Sequence, residues 1–198
     1  MNKISEIIIG TNNIGKYREI SDLLPKKVKK YSPKDFKIKT PKETGKSFEE
    51  NSILKASYFS KKTKLICLSD DSGLEIQILK GAPGIFSSRW GGTKKNFDIA
   101  IQKVLEEIKN KTTNFQNNNL ARFVCCLTLY WPDGNYYTSK GIVQGKISSI
   151  KKGNKGFGYD PIFIPNGYDK TFAEMNPKLK MSIDHRFKAY QKIKNFFQ

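Results

Sequence analysis

Apolar and polar residues follow two spacings along the chain, one typical of strands and one typical of helices. Glu6–Gly10 is rich in isoleucine and predicts a strand. Alternating runs at Ala121–Trp131 and Tyr136–Val143, joined by Pro-Asp-Gly-Asn, predict a β-hairpin. Beyond Asn96, apolar residues fall on one helix face, namely Phe97, Ile101, Val104, Leu105 and Ile108. With no repeat or linker in its 198 residues, the chain is predicted to form a single α/β domain.

Three more helices are predicted from their apolar faces and end signals. One follows the polar loop at 11–16 and ends at Pro25. The second starts at Ser47, which forms a capping box with Glu50, and runs to about Lys62. The last carries its cations His185 and Arg186 in its first turn, where the helix dipole disfavours positive charge. Cations at that position indicate an anion or a carbonyl group to be bound.

The apolar run Leu65–Leu68 leads into two adjacent carboxylates, Asp70 and Asp71. The run predicts a buried strand, and the following Ser72 and Gly73 predict a turn that ends it. Open α/β sheets bind ligands at strand ends, and paired carboxylates are good ligands for a hard cation. The alternative, that both acids only form the turn, stays open on this segment alone.

Gly10 to Lys16 has the spacing G-x-x-x-x-G-K of a phosphate-binding loop. The next residue is Tyr17, where such a loop needs a magnesium-binding Ser or Thr, so an ordinary P-loop is rejected. A strand, a polar loop and a helix N-terminus still offer backbone N–H groups to an anion, with Lys16 as the cation. The alternative is a plain connection between strand and helix.

Two other segments carry candidate chemistry. Glu43 lies in the loop before the helix cap, and we expect its side chain to reach a metal ion. Lys151–Pro161 combines lysines and glycines around Phe157, a composition suited to phosphate binding and to stacking on a base. The alternative for this second segment is a flexible surface loop.

Composition narrows the class of protein. The formal charge of +18 is spread along the whole chain, which favours a compositional bias over a dedicated nucleic-acid surface. Three cysteines without a CxxC pair are expected to be free thiols in a reducing compartment. No apolar run approaches the ~20 residues of a membrane span, and no secretory signal is present. We therefore expect a cytoplasmic protein with no membrane partner.

The motifs together resemble the inosine triphosphate pyrophosphatases, also called XTP/dITP diphosphatases. They occur in order over nearly the whole chain: Thr11-x-Asn13-x-x-Lys16-x-x-Glu19, Glu43-Thr44-Gly45, Phe48-x-Glu50-Asn51-x-x-Leu54-Lys55-Ala56, Ser69-Asp70-Asp71-Ser72-Gly73-Leu74, Gly81-Ala82-Pro83-Gly84, Gly156-Phe157-Gly158-Tyr159-Asp160-Pro161, Thr171-Phe172-Ala173-Glu174-Met175 and His185-Arg186. Each motif is weak alone, whereas the ordered set is specific.

The resemblance implies an elongated α/β fold of one domain, residues 1–198, with a long mixed sheet and two lobes around a central cleft. It implies a Mg²⁺-dependent homodimer that hydrolyses ITP, dITP or XTP to the monophosphate and pyrophosphate. Asp71 becomes the general base, and Glu43 and Asp71 the metal-linked acids, with Glu50 and Asp70 as second choices. The implied substrate contacts are Thr11, Asn12, Asn13, Ile14, Gly15, Lys16, Ser72, Phe157, Gly158, Tyr159, Asp160, Lys180, His185 and Arg186.

One departure and two rival functions remain. The family usually has Ser before His-Arg, whereas this chain has Asp184, which could affect substrate preference or cap the helix. One rival is a related pyrophosphatase for other modified nucleotides. The other is a basic RNA-binding protein without catalysis, which predicts steep salt dependence of RNA affinity.

Overall fold

The computed structural model describes residues 3–198, which form a mixed six-stranded sheet with helices. The strands are β1 Glu6–Ile9, β2 Lys29–Tyr31, β3 Cys67–Ile76, β4 Leu120–Tyr130, β5 Tyr136–Ile147 and β6 Phe163–Pro165. The α-helices are α1 Ile14–Leu23, α2 Phe48–Thr63, α3 Phe97–Lys111, α4 Pro177–Ile183 and α5 His185–Gln191. The predicted α/β class is therefore confirmed.

The strand order in the sheet is β2-β1-β3-β4-β5-β6. β1 pairs in parallel with β2 and with β3, where Ile8 is opposite Cys67. β5 and β6 pair antiparallel, with Ile147 opposite Phe163. Because β3 follows β1 through the long segment that contains α2, the parallel pairing of these strands fits the usual crossover connection.

Two strands extend beyond their predicted ends. The Asp-Ser-Gly turn is wrong, since β3 runs through Ser72 and Gly73 to Ile76. The strand predicted to end at Val143 is also longer than expected, because β5 continues to Ile147. β3 and β5 each have a neighbouring strand on both sides, and this pairing outweighs the local turn preference of Asp, Ser and Gly.

The predicted loop at 11–16 is shorter than expected. The Asn13 side chain accepts a hydrogen bond from the backbone N–H of Lys16, so Asn13 caps α1 and the helix already begins at Ile14. Ile14, Gly15 and Lys16 are therefore in the first helical turn. At the other end, the helix stops after Leu23, just before Pro25, as predicted.

The chain divides into two compact units. The first combines the segment up to Asp71 with Cys125–Gly141 and Arg186–Gln198, and the second combines Ser72–Val124 with Ile142–His185. In the second unit, apolar residues of α3 pack with strand residues such as Phe123 and Phe163 in one buried core. The arrangement of two lobes around a cleft, which the resemblance implied, stays a prediction. Among residues 3–198, no helix is long and apolar enough to cross a membrane.

The first unit has two separate cores because alternate residues of β3 point to opposite faces of the sheet. Leu68 packs with Ile20 of α1 and Ala189 of α5. Its neighbour Cys67 packs instead with Ala56 and Phe59 of α2. Different helices thus cover the two faces of this strand. Asp70 and Asp71, which follow in the same strand, also point to opposite faces.

Candidate active site

Asp71 lies at the centre of a buried polar cluster in the first unit. Its Oδ1 is 3.0 Å from the Lys55 ammonium, which also contacts Glu43 Oε1 at 2.6 Å. Its Oδ2 accepts a hydrogen bond from the Asn51 side-chain amide at 3.3 Å. Asp71 is only 5% exposed to solvent. Two carboxylates thus share one cation, and both lie on the side of β3 that α2 covers.

The sequence of α2 explains how this cluster forms. Asn51 and Lys55 are one turn apart, so both side chains project from the same face of the helix. Ser47 caps the helix as predicted, accepting from the Glu50 N–H. The reciprocal bond of a capping box goes elsewhere, however, because the Glu50 carboxylate accepts from the Lys46 N–H instead of that of Ser47. Glu50 is therefore held at the cap and is exposed.

Asp70 faces the other side of β3 and has different partners. Its Oδ2 is 3.0 Å from the Lys16 ammonium and 3.6 Å from Arg186 Nη2. Arg186 also contacts Glu19 Oε2 at 2.7 Å through Nη1. Charges therefore alternate along Lys16, Asp70, Arg186 and Glu19, which ties α1 and α5 to the strand.

These surroundings shift the pKa values of the two acids in opposite directions. Burial would raise the pKa of Asp70, but Lys16, Arg186 and Lys55 outweigh it and hold this pKa well below its usual range. Burial raises the pKa of Asp71, and the attraction of Lys55 and Lys16 does not fully reverse this effect. Two neighbouring acids whose pKa values differ in this way commonly have different roles.

Lys55 remains a cation despite its burial. Burial would lower the pKa of its ammonium, but Asp71, Asp70 and Glu43 together raise it above the usual value. At neutral pH the Asp71 cluster thus contains a charged lysine beside two carboxylates. Such a group can neutralise the charge of a bound phosphate.

The segment Thr11–Lys16 presents a compact polar turn at the start of α1. The Thr11 hydroxyl accepts from the Asn13 N–H, and Asn12 donates to the Thr40 hydroxyl. Ile14 is 57% exposed, which shows that this first turn faces solvent. Free N–H groups at a helix start suit an anion, and Lys16 adds a positive charge.

In the second unit, Asp160 organises the glycine-rich loop. Its Oδ2 accepts from the Phe157 N–H at 2.9 Å and from the Lys180 ammonium at 2.6 Å. The same ammonium lies 5.2 Å from the centre of the Phe157 ring. Gly156 has a positive φ of 72°, and a Cβ there would collide with Asp160 Oδ2. This glycine is therefore required for the loop to close around the carboxylate.

Two other predicted residues of the second unit are held in its core. Tyr159 is buried, donates its hydroxyl to the Ser87 carbonyl and packs edge-on against Phe97. His185 is also buried and stacks on Phe123, with ring centres 4.7 Å apart and an interplanar angle of 8°. Both rings are thus fixed by packing. Asp184, the residue that departs from the family pattern, is buried at the C-terminal cap of α4.

The structure brings the predicted site residues together as two groups, one in each unit. The first unit holds Thr11–Lys16, Glu43, Asp71 and Arg186. The second holds Ser72, Phe157–Asp160, Lys180 and His185. In residues 3–198, no group of three or more His, Cys, Asp or Glu side chains is arranged to hold a metal ion.

Sequence reasoning missed three members of these clusters as site residues, namely Glu19, Asn51 and Lys55. For the last two a signal exists in the α2 pattern. They occupy the stripe of Phe48 and Phe59, spaced by three or four residues, where apolar residues are expected. A polar residue on a buried stripe indicates a buried partner, and that partner is Asp71. Glu19 lies on α1 without a comparable signal.

Comparison with known proteins gives one consistent result. A sequence model of the Ham1 family matches residues 7–196. A dITP/XTP pyrophosphatase of Rhodospirillum centenum is 40% identical over 188 residues, which are 94% of this chain and 92% of that protein. The dITP/XTP pyrophosphatase of Zymomonas mobilis is 38% identical, over 94% of this chain and 89% of its own length.

Solved structures agree with this result. A HAM1 protein from Coxiella burnetii superposes with a TM-score of 0.87 at 35% identity, covering 97% of this chain and 98% of the other. The Ham1 protein of Staphylococcus aureus gives a TM-score of 0.83 at 37% identity, with 96% and 97% coverage. The resemblance found in the motifs is thereby confirmed.

Proposed function

Because the chain belongs to the Ham1 family, we propose that it is a nucleoside triphosphate pyrophosphatase acting on deaminated purine nucleotides. Its relatives from R. centenum and Z. mobilis are named dITP/XTP pyrophosphatases, and the similarity covers almost the whole chain. The products would be the nucleoside monophosphate and pyrophosphate. Such an enzyme removes dITP and XTP from the nucleotide pool.

One observation carries the chemical part of the proposal. Glu43 and Asp71 contact the same ammonium group of Lys55, at 2.6 Å and 3.0 Å. Two carboxylates that reach one small cation are close enough to serve one divalent ion. Carboxylate oxygens are also the protein ligands that Mg²⁺ prefers, and Mg²⁺ usually completes its shell with phosphate and water. The donor set therefore fits Mg²⁺, with Glu43 and Asp71 as its protein ligands.

Asp71 is the residue best suited to accept a proton from water. A buried carboxylate with a raised pKa is a stronger base than an exposed one, and donors from Asn51 and Lys55 fix its orientation. The one histidine of the chain, His185, is buried and stacked on Phe123, which does not suit a general base. Water attack at the α-phosphorus breaks its bond to the bridging oxygen, pyrophosphate leaves, and Asp71 takes the water proton.

Cations of the first unit would stabilise the charge of the triphosphate. When bound, Mg²⁺ would neutralise phosphate charge and polarise a phosphoryl oxygen. The Lys55 ammonium adjoins Asp71, and Lys16 belongs to the turn that opens α1. Preorganised positive charge of this kind is the main contribution that a protein makes to phosphoryl transfer.

Recognition of the base is proposed on chemical grounds. Hypoxanthine and xanthine have a carbonyl at C6, whereas adenine has an amine there. Arg186 can only donate hydrogen bonds and His185 can donate one, so both favour a carbonyl. Phe157 offers a half-buried ring for stacking, beside the Lys180 ammonium. The homodimer and the cytoplasmic location implied by the resemblance also belong to this proposal.

The deciding experiment is an assay of purified protein with dITP, with and without Mg²⁺. Pyrophosphate and dIMP in equal amounts, formed only with Mg²⁺, are the expected products. Release of inorganic phosphate instead would contradict the proposal. A nucleotide panel that includes modified pyrimidine triphosphates would identify a related pyrophosphatase. Salt-sensitive RNA binding without turnover would identify the non-catalytic alternative.

A further inference from the structure

We propose that Asn51 is a positioning residue that fixes the spacing between Glu43 and Asp71. It would do so by tying the backbone of the Glu43 loop to the Asp71 carboxylate through one side-chain amide. The inference rests on the proposed function in one respect, since these two acids are the proposed ligands of the divalent ion. It adds a residue that touches neither the ion nor the nucleotide.

The contacts of Asn51 carry the argument. Its Oδ1 accepts a hydrogen bond of 2.8 Å from the N–H of Gly45, two residues after Glu43. Its Nδ2 donates to Asp71 Oδ2 at 3.3 Å. The Asn51 side chain has no exposure to solvent, so water does not compete for either bond. One rigid amide group therefore joins a loop to a central strand.

The chemistry of the two partners fixes the orientation of this amide. A backbone N–H can only donate and an ionised carboxylate can only accept, so the oxygen must face Gly45 and the nitrogen must face Asp71. A flipped amide would oppose donor to donor and acceptor to acceptor. Asparagine thus supplies one acceptor and one donor from a single planar group, which an ionised carboxylate of similar size would not reproduce because it can only accept.

Close packing at Gly45 strengthens the link. A Cβ added to Gly45 would lie 2.7 Å from Asn51 Oδ1 and 2.8 Å from Glu50 Cβ, and real Cβ atoms do not approach so closely. Gly45 has no positive φ, so the glycine is required for space and not for backbone conformation. The Glu43 loop can approach α2 only because this position has no side chain.

Lys55 also joins the two acids, but it cannot replace Asn51 in this role. Its ammonium interacts with Glu43 and Asp71 by charge, and a divalent ion bound by the same carboxylates would compete with that attraction. The amide of Asn51 is neutral and does not compete with a cation. Its two bonds can hold the spacing of the acids both before and after the ion binds.

The test compares the affinity of the wild type and of Asn51→Leu for Mn²⁺ alone. Electron paramagnetic resonance measures how much Mn²⁺ is bound. Leucine keeps the size and shape of the side chain but removes both hydrogen bonds. We expect Mn²⁺ affinity to fall about tenfold to 100-fold, the usual effect of losing a group that orients a metal ligand. Unchanged Mn²⁺ affinity in a folded Asn51→Leu protein would overturn the proposal.

Ser52→Ala is the matched control. Ser52 is the next residue of α2, is fully buried, and hydrogen-bonds to Thr128 and the Glu49 carbonyl instead of the acids. Both variants should lower the melting temperature because both remove buried hydrogen bonds. Only Asn51→Leu should also weaken Mn²⁺ binding. Equal losses of affinity in both variants would reduce Asn51 to a merely structural role.

Gly45→Ala provides a second variant if Asn51→Leu does not fold. It leaves Asn51 and both acids in place but forces the loop away from α2. Weaker Mn²⁺ binding by Gly45→Ala supports the proposal, and wild-type binding overturns it.

Failure of the proposed function has a different signature: a wild type that binds Mn²⁺ but releases no pyrophosphate from dITP. A wild type that binds no Mn²⁺ would overturn the positioning role itself.

Discussion

Asp70 and Asp71 are adjacent in the sequence, but their side chains have different surroundings. Asp70 faces α1 and α5 and contacts two cations, Lys16 and Arg186. Asp71 faces α2, where the Lys55 ammonium is shared with a second carboxylate, Glu43. Both side chains are buried, yet their pKa values shift in opposite directions. The difference in charge around each acid, and not burial alone, decides the shift.

The alternation of side chains along a strand makes this separation possible. Consecutive residues point to opposite faces, so one dipeptide can place one acid in the Lys16–Arg186 network and the other in the cluster with Lys55 and Asn51. The ion pairs around Asp70 connect α1 and α5 to the sheet, which is typical of a group that stabilises the fold. The Asp71 cluster concentrates two acids, a lysine and an amide in one place. We therefore expect substitutions at Asp70 to affect mainly stability and those at Asp71 mainly catalysis.

The largest effect is expected for Asp71→Asn. Because Asp71 is the proposed general base, its loss should lower kcat for dITP on the order of 10² or more, with the fold intact. Steady-state kinetics together with a circular dichroism spectrum would measure both properties. Asp133→Asn is a suitable control, since Asp133 is an exposed acid in the β4–β5 turn. Near-normal turnover in Asp71→Asn would remove Asp71 from the mechanism.

Asp70→Asn should reduce stability more than Asp71→Asn does. Loss of one partner from a buried ion pair typically costs about 3–5 kcal/mol, because the remaining charge is left uncompensated. Here Arg186 keeps Glu19, and Lys16 is partly exposed, so we expect a smaller loss of about 2 kcal/mol. Urea unfolding followed by fluorescence would measure it. A loss equal to that of Asp71→Asn would contradict the division of roles.

Much of this arrangement could be predicted from local sequence. The positions of α2 and α3 followed from apolar spacing and, for α2, from the cap residue Ser47, since both signals act within a few residues. By contrast, α4 was not predicted as a helix separate from α5. The motifs also placed Glu43 and Asp71 among the candidates. What local signals missed was the continuation of β3 through Ser72 and Gly73, where pairing with neighbouring strands overrides the turn preference of these residues.

The partners of the two acids were less predictable. Lys16 was chosen as a phosphate-binding cation, and its contact with Asp70 depends on a strand more than fifty residues away. The role of Lys55 depends on the face of α2 that meets Asp71, which required the fold. His185 was predicted as a donor to the base, but its stacking on Phe123 depends on a distant strand. Long-range contacts of this kind leave no spacing pattern in one sequence.

The pH dependence of stability offers a sharper comparison of the two acids. The folded-state pKa of Asp70 is lowered, so its stabilising contribution is present above the unfolded pKa of about 3.9 and is lost as pH falls towards the folded value. The stability difference between wild type and Asp70→Asn should therefore shrink by about 1 kcal/mol between about pH 5 and about pH 3.

The contribution of Asp71 to stability should change with pH in the opposite direction. Its folded-state pKa is raised, so its contribution favours the folded state below the unfolded pKa and is lost as pH rises through the folded value. At neutral pH, Asp71→Asn should consequently lose little stability or gain some. Urea unfolding of the wild type and both variants at a series of pH values would show the two trends. Parallel curves for the two variants would mean that the acids do not differ as proposed.

Arg186→Ala tests whether this residue serves only the Asp70 network. Its guanidinium contacts Glu19 and Asp70, so the variant should lose stability whatever its role in binding. If Arg186 also donates to the C6 carbonyl, the ratio of kcat/KM for dITP over dATP should fall about tenfold, the value of roughly one hydrogen bond. Glu19→Gln is the control, because it weakens the same network but leaves the guanidinium in place. A selectivity ratio unchanged in both variants would assign Arg186 to structure alone, whereas a loss confined to Arg186→Ala would give it a second role at the base.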